Sequence, residues 1–297
     1  MKRVARALPL EPPEAPSRDP RRGIAVVLVS SLLFGAMAVC VRLSAREMPA
    51  PQVAFLRFLG SFLILLAFRG GRSLEPRPGN RTRVLLRGLL GGAAIFLYYR
   101  AIAGAGAGLA TMLHCTYPVF TALLATAFLG ERFDARLAGA LAMSVSGVVI
   151  IFGPGSEMSP RVLNGAVNAL AASILAGAAV TAAGHLRRTE SAYLVTTYFM
   201  GVGVVLTSPA MLLGIPDWTI GLVAALLAVV LTSVAAQTLL HMGLGHASAT
   251  QASLAAATSV VSTSVFEAVF LGEHLGFGAI VGAVLLIGAV TLAAGRR

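Results

Sequence analysis

Apolar residues run along this chain in ten long stretches: 24-42, 50-68, 84-103, 107-129, 136-153, 161-183, 192-214, 219-240, 249-272 and 276-294. Each has roughly the 17–25 residues that a helix needs to cross a bilayer. Short polar or Gly/Pro links join them, and no segment is long enough to be an inserted soluble domain. The pattern predicts an all-α integral membrane protein of ten transmembrane helices.

The pattern also repeats. Ser31-Leu32-Leu33-Phe34-Gly35-Ala36 returns as Ser173-Ile174-Leu175-Ala176-Gly177-Ala178, and Leu129-Gly130-Glu131 returns as Leu271-Gly272-Glu273. One offset relates both pairs. Applied to 100-131 without a gap, that offset preserves Ala105, Ala107, Ala110, Thr116, Val119, Thr121 and Phe128 as well. Two five-helix repeats are expected, over 23-155 and 156-297, after a disordered, Pro-rich cytoplasmic tail over 1-22. An odd number of crossings leaves the second repeat inverted, with a substrate site between the halves.

Composition and charge sharpen this picture. Only 12% of the 297 residues are charged and 57% are hydrophobic, with mean hydropathy +0.84; soluble domains carry about 25% charged residues. With the N-terminus in the cytoplasm, 18 of the 23 Lys and Arg residues fall on the inner side. The exceptions are Arg42, Arg46, Arg100 and Arg161 on the outer side and Arg57 within a span. The positive-inside rule then gives both termini inside. The basic link 69-87 has an acidic counterpart at Asp217, as opposite faces require. The net charge of +11 suits an anionic inner leaflet. Nucleic acid is excluded, because the charges sit in short links rather than in a stripe with aromatics. The first apolar run is too long for a signal peptide. The two cysteines, Cys40 and Cys115, form neither a disulfide framework nor a metal spacing.

Thr116-Tyr117-Pro118-Val119-Phe120-Thr121-Ala122-Leu123-Leu124, followed by Phe128-Leu129-Gly130-Glu131-Arg132, resembles the fourth-helix signature of the EamA family of the drug/metabolite transporter superfamily. Ala50-Pro51 with Arg57-Phe58, and Leu271-Gly272-Glu273, match more weakly. The resemblance spans about 24-294. It implies two inverted five-helix repeats around a cavity lined by the first, third, fourth, sixth, eighth and ninth helices. It also implies export of amino acids or related metabolites. One departure stands out: Val260 occupies the ninth-helix position where members often carry proline, so the bend there is either absent or made by Gly, Ser or Thr.

Polar groups at bilayer depth are few, and ionisable ones there are costly unless paired or functional. His114, with Thr111 one turn before and Pro118 one turn after, is a substrate or proton contact beside a flexible point, or a neutral histidine bonded to a neighbouring helix. Tyr117 packs or stacks on substrate. One of Tyr98 and Tyr99 lines the cavity, and Tyr99 is taken as the candidate. Thr258 and Ser262, four apart in a hydroxyl-rich span, are the choices in the ninth helix; the other reading is helix-to-helix glue. Gln237 and His241 face the cytoplasmic mouth. Glu267 is a proton-coupling acid, an acid paired to an outer Arg, or an exposed side chain. Arg57 is a counter-charge for a carboxylate or, as favoured here, a structural anchor. Pro118, Glu131 and Glu273 are assigned structural or gating roles, and Gly35 and Gly177 close packing.

No catalytic or metal constellation and no phosphate-binding loop appear, so neither an enzyme nor a cofactor is expected. The expectation is a secondary transporter of the bacterial inner membrane, its partners a small-molecule substrate, lipid and a proton as candidate coupling ion. Uptake or facilitated passage of a nucleobase, vitamin or similar metabolite is the alternative. A drug extruder is disfavoured because 24-42 holds no acid. A non-transporting scaffold is the remaining reading.

Overall fold

A computed structural model describes residues 19–105, 107–152, 159–214, 217–272 and 277–294. All ten apolar stretches are helical, and no strand occurs among the described residues. In chain order the helices are α1 Pro20–Ser44, α2 Ala50–Ala67, α3 Arg81–Ala105, α4 Ala107–His114, α5 Tyr117–Leu129, α6 Ala135–Phe152, α7 Pro160–Leu186, α8 Ala192–Thr207, α9 Ile220–Gly243, α10 Ala249–Ala257, α11 Ser259–Leu271 and α12 Phe277–Ala294. A 3-10 turn over Ser208–Leu213 extends α8. Counting α8 with that turn and α10 with α11, seven segments among the described residues are long and apolar enough to cross a membrane. The protein is thus an all-helical, multi-pass membrane protein. Pro20, Arg21 and Arg22, expected in the tail, form the first turn of α1, where the Asp19 carboxylate accepts from two orphan N–H groups.

Leucine, isoleucine, valine and phenylalanine point outward all round, among them Leu32, Phe128, Leu212 and Ile287. The interior is instead rich in Ala, Gly, Ser and Thr. Lipid is as apolar as leucine, so helices associate through close contact of small residues and through hydrogen bonds. A Cβ at Gly35 would lie 2.7 Å from Ser262 Cβ, and one at Gly177 would lie 2.6 Å from Phe120 Cβ. These glycines let α1 meet α11 and α7 meet α5 at backbone distance.

The fourth and ninth apolar stretches are both broken. Between α4 and α5, Thr116 donates its hydroxyl to the Leu113 carbonyl at 2.7 Å. Between α10 and α11, Thr258 donates to the Ala255 carbonyl at 2.7 Å. Each threonine also meets a serine of another helix at 2.9 Å, Thr116 with Ser173 and Thr258 with Ser31. Both broken helices end on a glycine in the left-handed region, Gly130 at φ 68° and Gly272 at φ 71°, a conformation that glycine adopts without steric cost. The bend at Val260 is therefore present and is made by hydroxyls.

Candidate functional site

A cavity of about 830 Å³, counted to its mouth, lies between α1, α3, the α4–α5 break, α7, α9 and the α10–α11 break, with Phe199 of α8 closing one side. Its wall on α3 is a stripe: Arg87, Gly91, Ala94, Ile95 and Tyr98. These positions recur every three or four residues and so share one helix face. The middle of the cavity is apolar, with Phe34, Met37, Ile95 and Leu240. Polar groups gather at two places.

The first lies at the α4–α5 break. The His114 ring stacks on Tyr98, with centroids 4.4 Å apart and planes 24° apart, and Tyr117 tilts against it at 5.6 Å. Tyr98 and Thr111 share a 2.7 Å hydrogen bond, and Tyr117 donates to the Ser253 carbonyl at 3.1 Å. His114 Nδ1 has no partner. Ser259 and Thr263 complete this end from α11.

The second is centred on Arg87, which is 3% exposed. Its Nη2 donates to His241 Nε2 at 3.0 Å, and its guanidinium stands over the Phe199 ring at 4.5 Å. Arginine can only donate, so His241 Nε2 must accept. His241 Nδ1 then carries the proton and donates to Thr196 Oγ1 at 2.7 Å, whose own hydroxyl donates to the Ala192 carbonyl. The network holds a neutral histidine, leaving the arginine charge uncompensated. Gln237 lines the cavity beside it, its Nε2 3.3 Å from His241 Nε2.

The expected site residues divide. Thr111, His114, Tyr117 and Gln237 line this one cavity. Tyr99 does not: it is fully buried on the other side of α3, near Arg57, because adjacent residues of a helix point about 100° apart. Tyr98 takes the cavity position. Thr258 and Ser262 also lie off the cavity. Ser262 donates to the Ser31 carbonyl at 2.9 Å, and both bind α11 to α1. Their neighbours Ser259 and Thr263 face inward instead.

Glu267 is buried and forms an ion pair with Arg42 at 2.7 Å. Arg57 is fully buried between α2, α3 and α9, donating from Nε to Ser233 at 2.7 Å, away from the cavity. Pro118 occupies the first turn of α5, where its missing N–H costs nothing. Glu131 ties the end of α5 to the start of α10. Its carboxylate accepts from the N–H groups of Ala249 and Thr250 and from the Thr250 hydroxyl, at the start of α10. Glu273 lies outside the described residues. His241, expected at a mouth, is fully buried. Arg87, counted above among the basic residues of a cytoplasmic link, is the functional group that sequence reasoning missed. The available signal was the small-residue stripe Gly91–Ala94 above it, which opens space on the same face. No group of three metal-ligating side chains occurs among the described residues.

A membrane-embedded helical bundle that encloses an apolar cavity with a few inward polar groups is the architecture of a small-molecule transporter. The model of the EamA-like transporter family matches residues 21–153 and again 163–295, and the chain belongs to that family of membrane transporters. It is 27% identical to the pseudopaline exporter CntI of Pseudomonas aeruginosa over 275 residues, 90% of this chain and 94% of the relative. It is 25% identical to human solute carrier family 35 member G1 over 65% of this chain and 56% of that one. A solved crystal structure shares the fold at TM-score 0.74 and 18% identity, covering 91% of this chain and 96% of the other.

Proposed function

We propose that the protein exports a small metabolite across the bacterial inner membrane as a secondary transporter, with the cavity as its substrate site. The observation that carries this reading is the position of the cavity: helices of both matched family segments contribute to it, and both helix breaks lie in its wall. In this reading the ten helical stretches form two inverted five-helix repeats, 23-155 and 156-297, with both termini in the cytoplasm. Rocking of one repeat against the other exposes the cavity to each side in turn. Similarity to a pseudopaline exporter supports export of a metabolite.

His114, Tyr117, Thr111 and Gln237 are proposed to contact substrate. Tyr99 is proposed to act through packing, and Thr258 and Ser262 by tying α11 to α1, none of them by touching substrate. The test is export from loaded proteoliposomes, with a metabolite mixture inside and empty vesicles as control. His114→Ala should cut transport at least about tenfold while lowering stability by no more than the roughly 0.5–1.5 kcal/mol of one ring stack. Wild-type rates in this variant would remove His114 from the site. Single cysteines at Arg77 and Asp217 in a Cys-free background should label from opposite sides of intact cells. Labelling of both from outside would overturn the inverted topology.

A further inference from the structure

The cavity holds a buried cation that the protein does not neutralise. Nε and Nη1 of Arg87 have no hydrogen-bond partner. No carboxylate lines the cavity among the described residues. His241 accepts one N–H but, as derived above, stays neutral. The Phe199 face returns only part of the cost of desolvating a guanidinium. Gly91, one turn further along α3, leaves the space that Nη1 occupies: a Cβ there would collide with that nitrogen. The molecule thus reserves a niche for an arginine while withholding its counter-ion.

We propose that the transported metabolite supplies that counter-ion as a carboxylate, which accepts from an unpartnered N–H of Arg87. A guanidinium donates charge-assisted N–H bonds to carboxylate oxygens, and Nε and Nη1, on different edges of the group, are the donors left without a partner. The rest of the cargo lies along Ile95, Met37 and Leu240 toward the His114–Tyr98 stack, where His114 Nδ1 is free to bond a second polar group. The cargo class is an amphipathic organic acid. This rests on the reading of the cavity as the transport site. His241 is a positioning residue: fixed by Thr196, it holds Nη2 and so aims the other two donors.

The test uses purified full-length protein in phosphatidylcholine vesicles and pairs of probes that differ only in charge: 3-phenylpropionate against 3-phenylpropanamide, and indole-3-acetate against indole-3-acetamide. Binding is read from the shift of the melting midpoint with probe concentration. The acids should bind the wild type at least about tenfold more tightly than the amides, the loss expected when a charged donor loses its acceptor. Arg87→Gln should erase that preference. Gly91→Ala, which displaces Nη1, should weaken it in a chain that keeps its arginine. Arg83→Gln should leave it intact. Equal binding of acid and amide by the wild type overturns the proposal, whatever the variants do. So does a preference that survives Arg87→Gln.

Adding phosphatidylglycerol separates cargo from lipid: if an anionic headgroup is the true occupant, that lipid alone stabilises the wild type, suppresses the acid preference and overturns the assignment. A transport assay on the same probes separates this inference from the one beneath it. Export of amides with exclusion of acids leaves the transporter reading standing and sinks the carboxylate. Tight acid binding without movement of any bound probe keeps the Arg87 contact and sinks transport.

Discussion

The break between α4 and α5 and the break between α10 and α11 are the same joint built from different residues. Thr116 and Thr258 sit at the pivots, each donating to the carbonyl three residues back and meeting a serine of another helix. Only the first joint carries a proline in the turn that follows. Proline is therefore not what makes the bend; it marks a bend that the hydroxyl already makes. What differs is the surroundings. The first joint presents stacked aromatic rings to the cavity, the second small hydroxyl residues tied to their own backbone, such as Thr263 to the Ser259 carbonyl at 2.8 Å. The halves share a mechanism of bending and divide the chemistry between them.

The sharpest asymmetry is Glu267, whose counterpart in the first half is Ala125, while Arg42 has Gly184 as its counterpart. Glu267→Gln should cost about 2–3 kcal/mol, because it removes one charge of a largely buried ion pair; Arg42 reaches solvent, which keeps the loss below the full penalty. The same variant should lose accumulation driven by a pH gradient while keeping exchange. Gradient stimulation equal to that of the wild type would take Glu267 out of coupling.

The paired glycines come next. Gly35→Ala and Gly177→Ala should each lower stability by about 1–3 kcal/mol, since the added carbon meets backbone atoms at 2.8 and 2.9 Å. Melting curves that show one tolerated and the other not would break the equivalence of the two helix contacts. A smaller effect is expected at the pivots. Thr116→Val and Thr258→Val should each cost about 1 kcal/mol, the net worth of the hydroxyl bonds removed. A large effect at one pivot only would mean that the joints are not built alike. Smallest of all, Val260→Pro should change stability by less than about 1 kcal/mol and preserve transport, because the first turn of α11 needs no N–H there. Loss of transport in a variant that still folds would show that the second joint straightens during the cycle and that its missing proline matters.

Long apolar runs show in the sequence directly, and the structure places a helix on each of the ten. Side-chain direction within them was harder to read. Pro118 advertised the first break, whereas Thr258 hid the second, because a hydroxyl turned back on its own helix looks like any other threonine. Tyr98 and Tyr99 were indistinguishable without knowing which face of α3 turns inward. The ninth helix failed by one position for the same reason: Ser259 and Thr263 face the cavity and Thr258 and Ser262 do not. Arg87 was lost to an averaging rule. Charges near the start of a hydrophobic run are normally loop charges, and the positive-inside count treats them all alike. A guanidinium on a long stem, seven residues into a helix whose next turn is glycine, has room to fold inward instead.

Glu131 has one more consequence. Its single carboxylate receives three donors from the first residues of α10, so the end of one broken helix is bolted to the start of the other. A bolt with three threads on one shaft does not loosen by degrees. Any motion that parts the end of α5 from the start of α10 must break all three contacts, so the two broken helices move as one body at this point unless the carboxylate lets go.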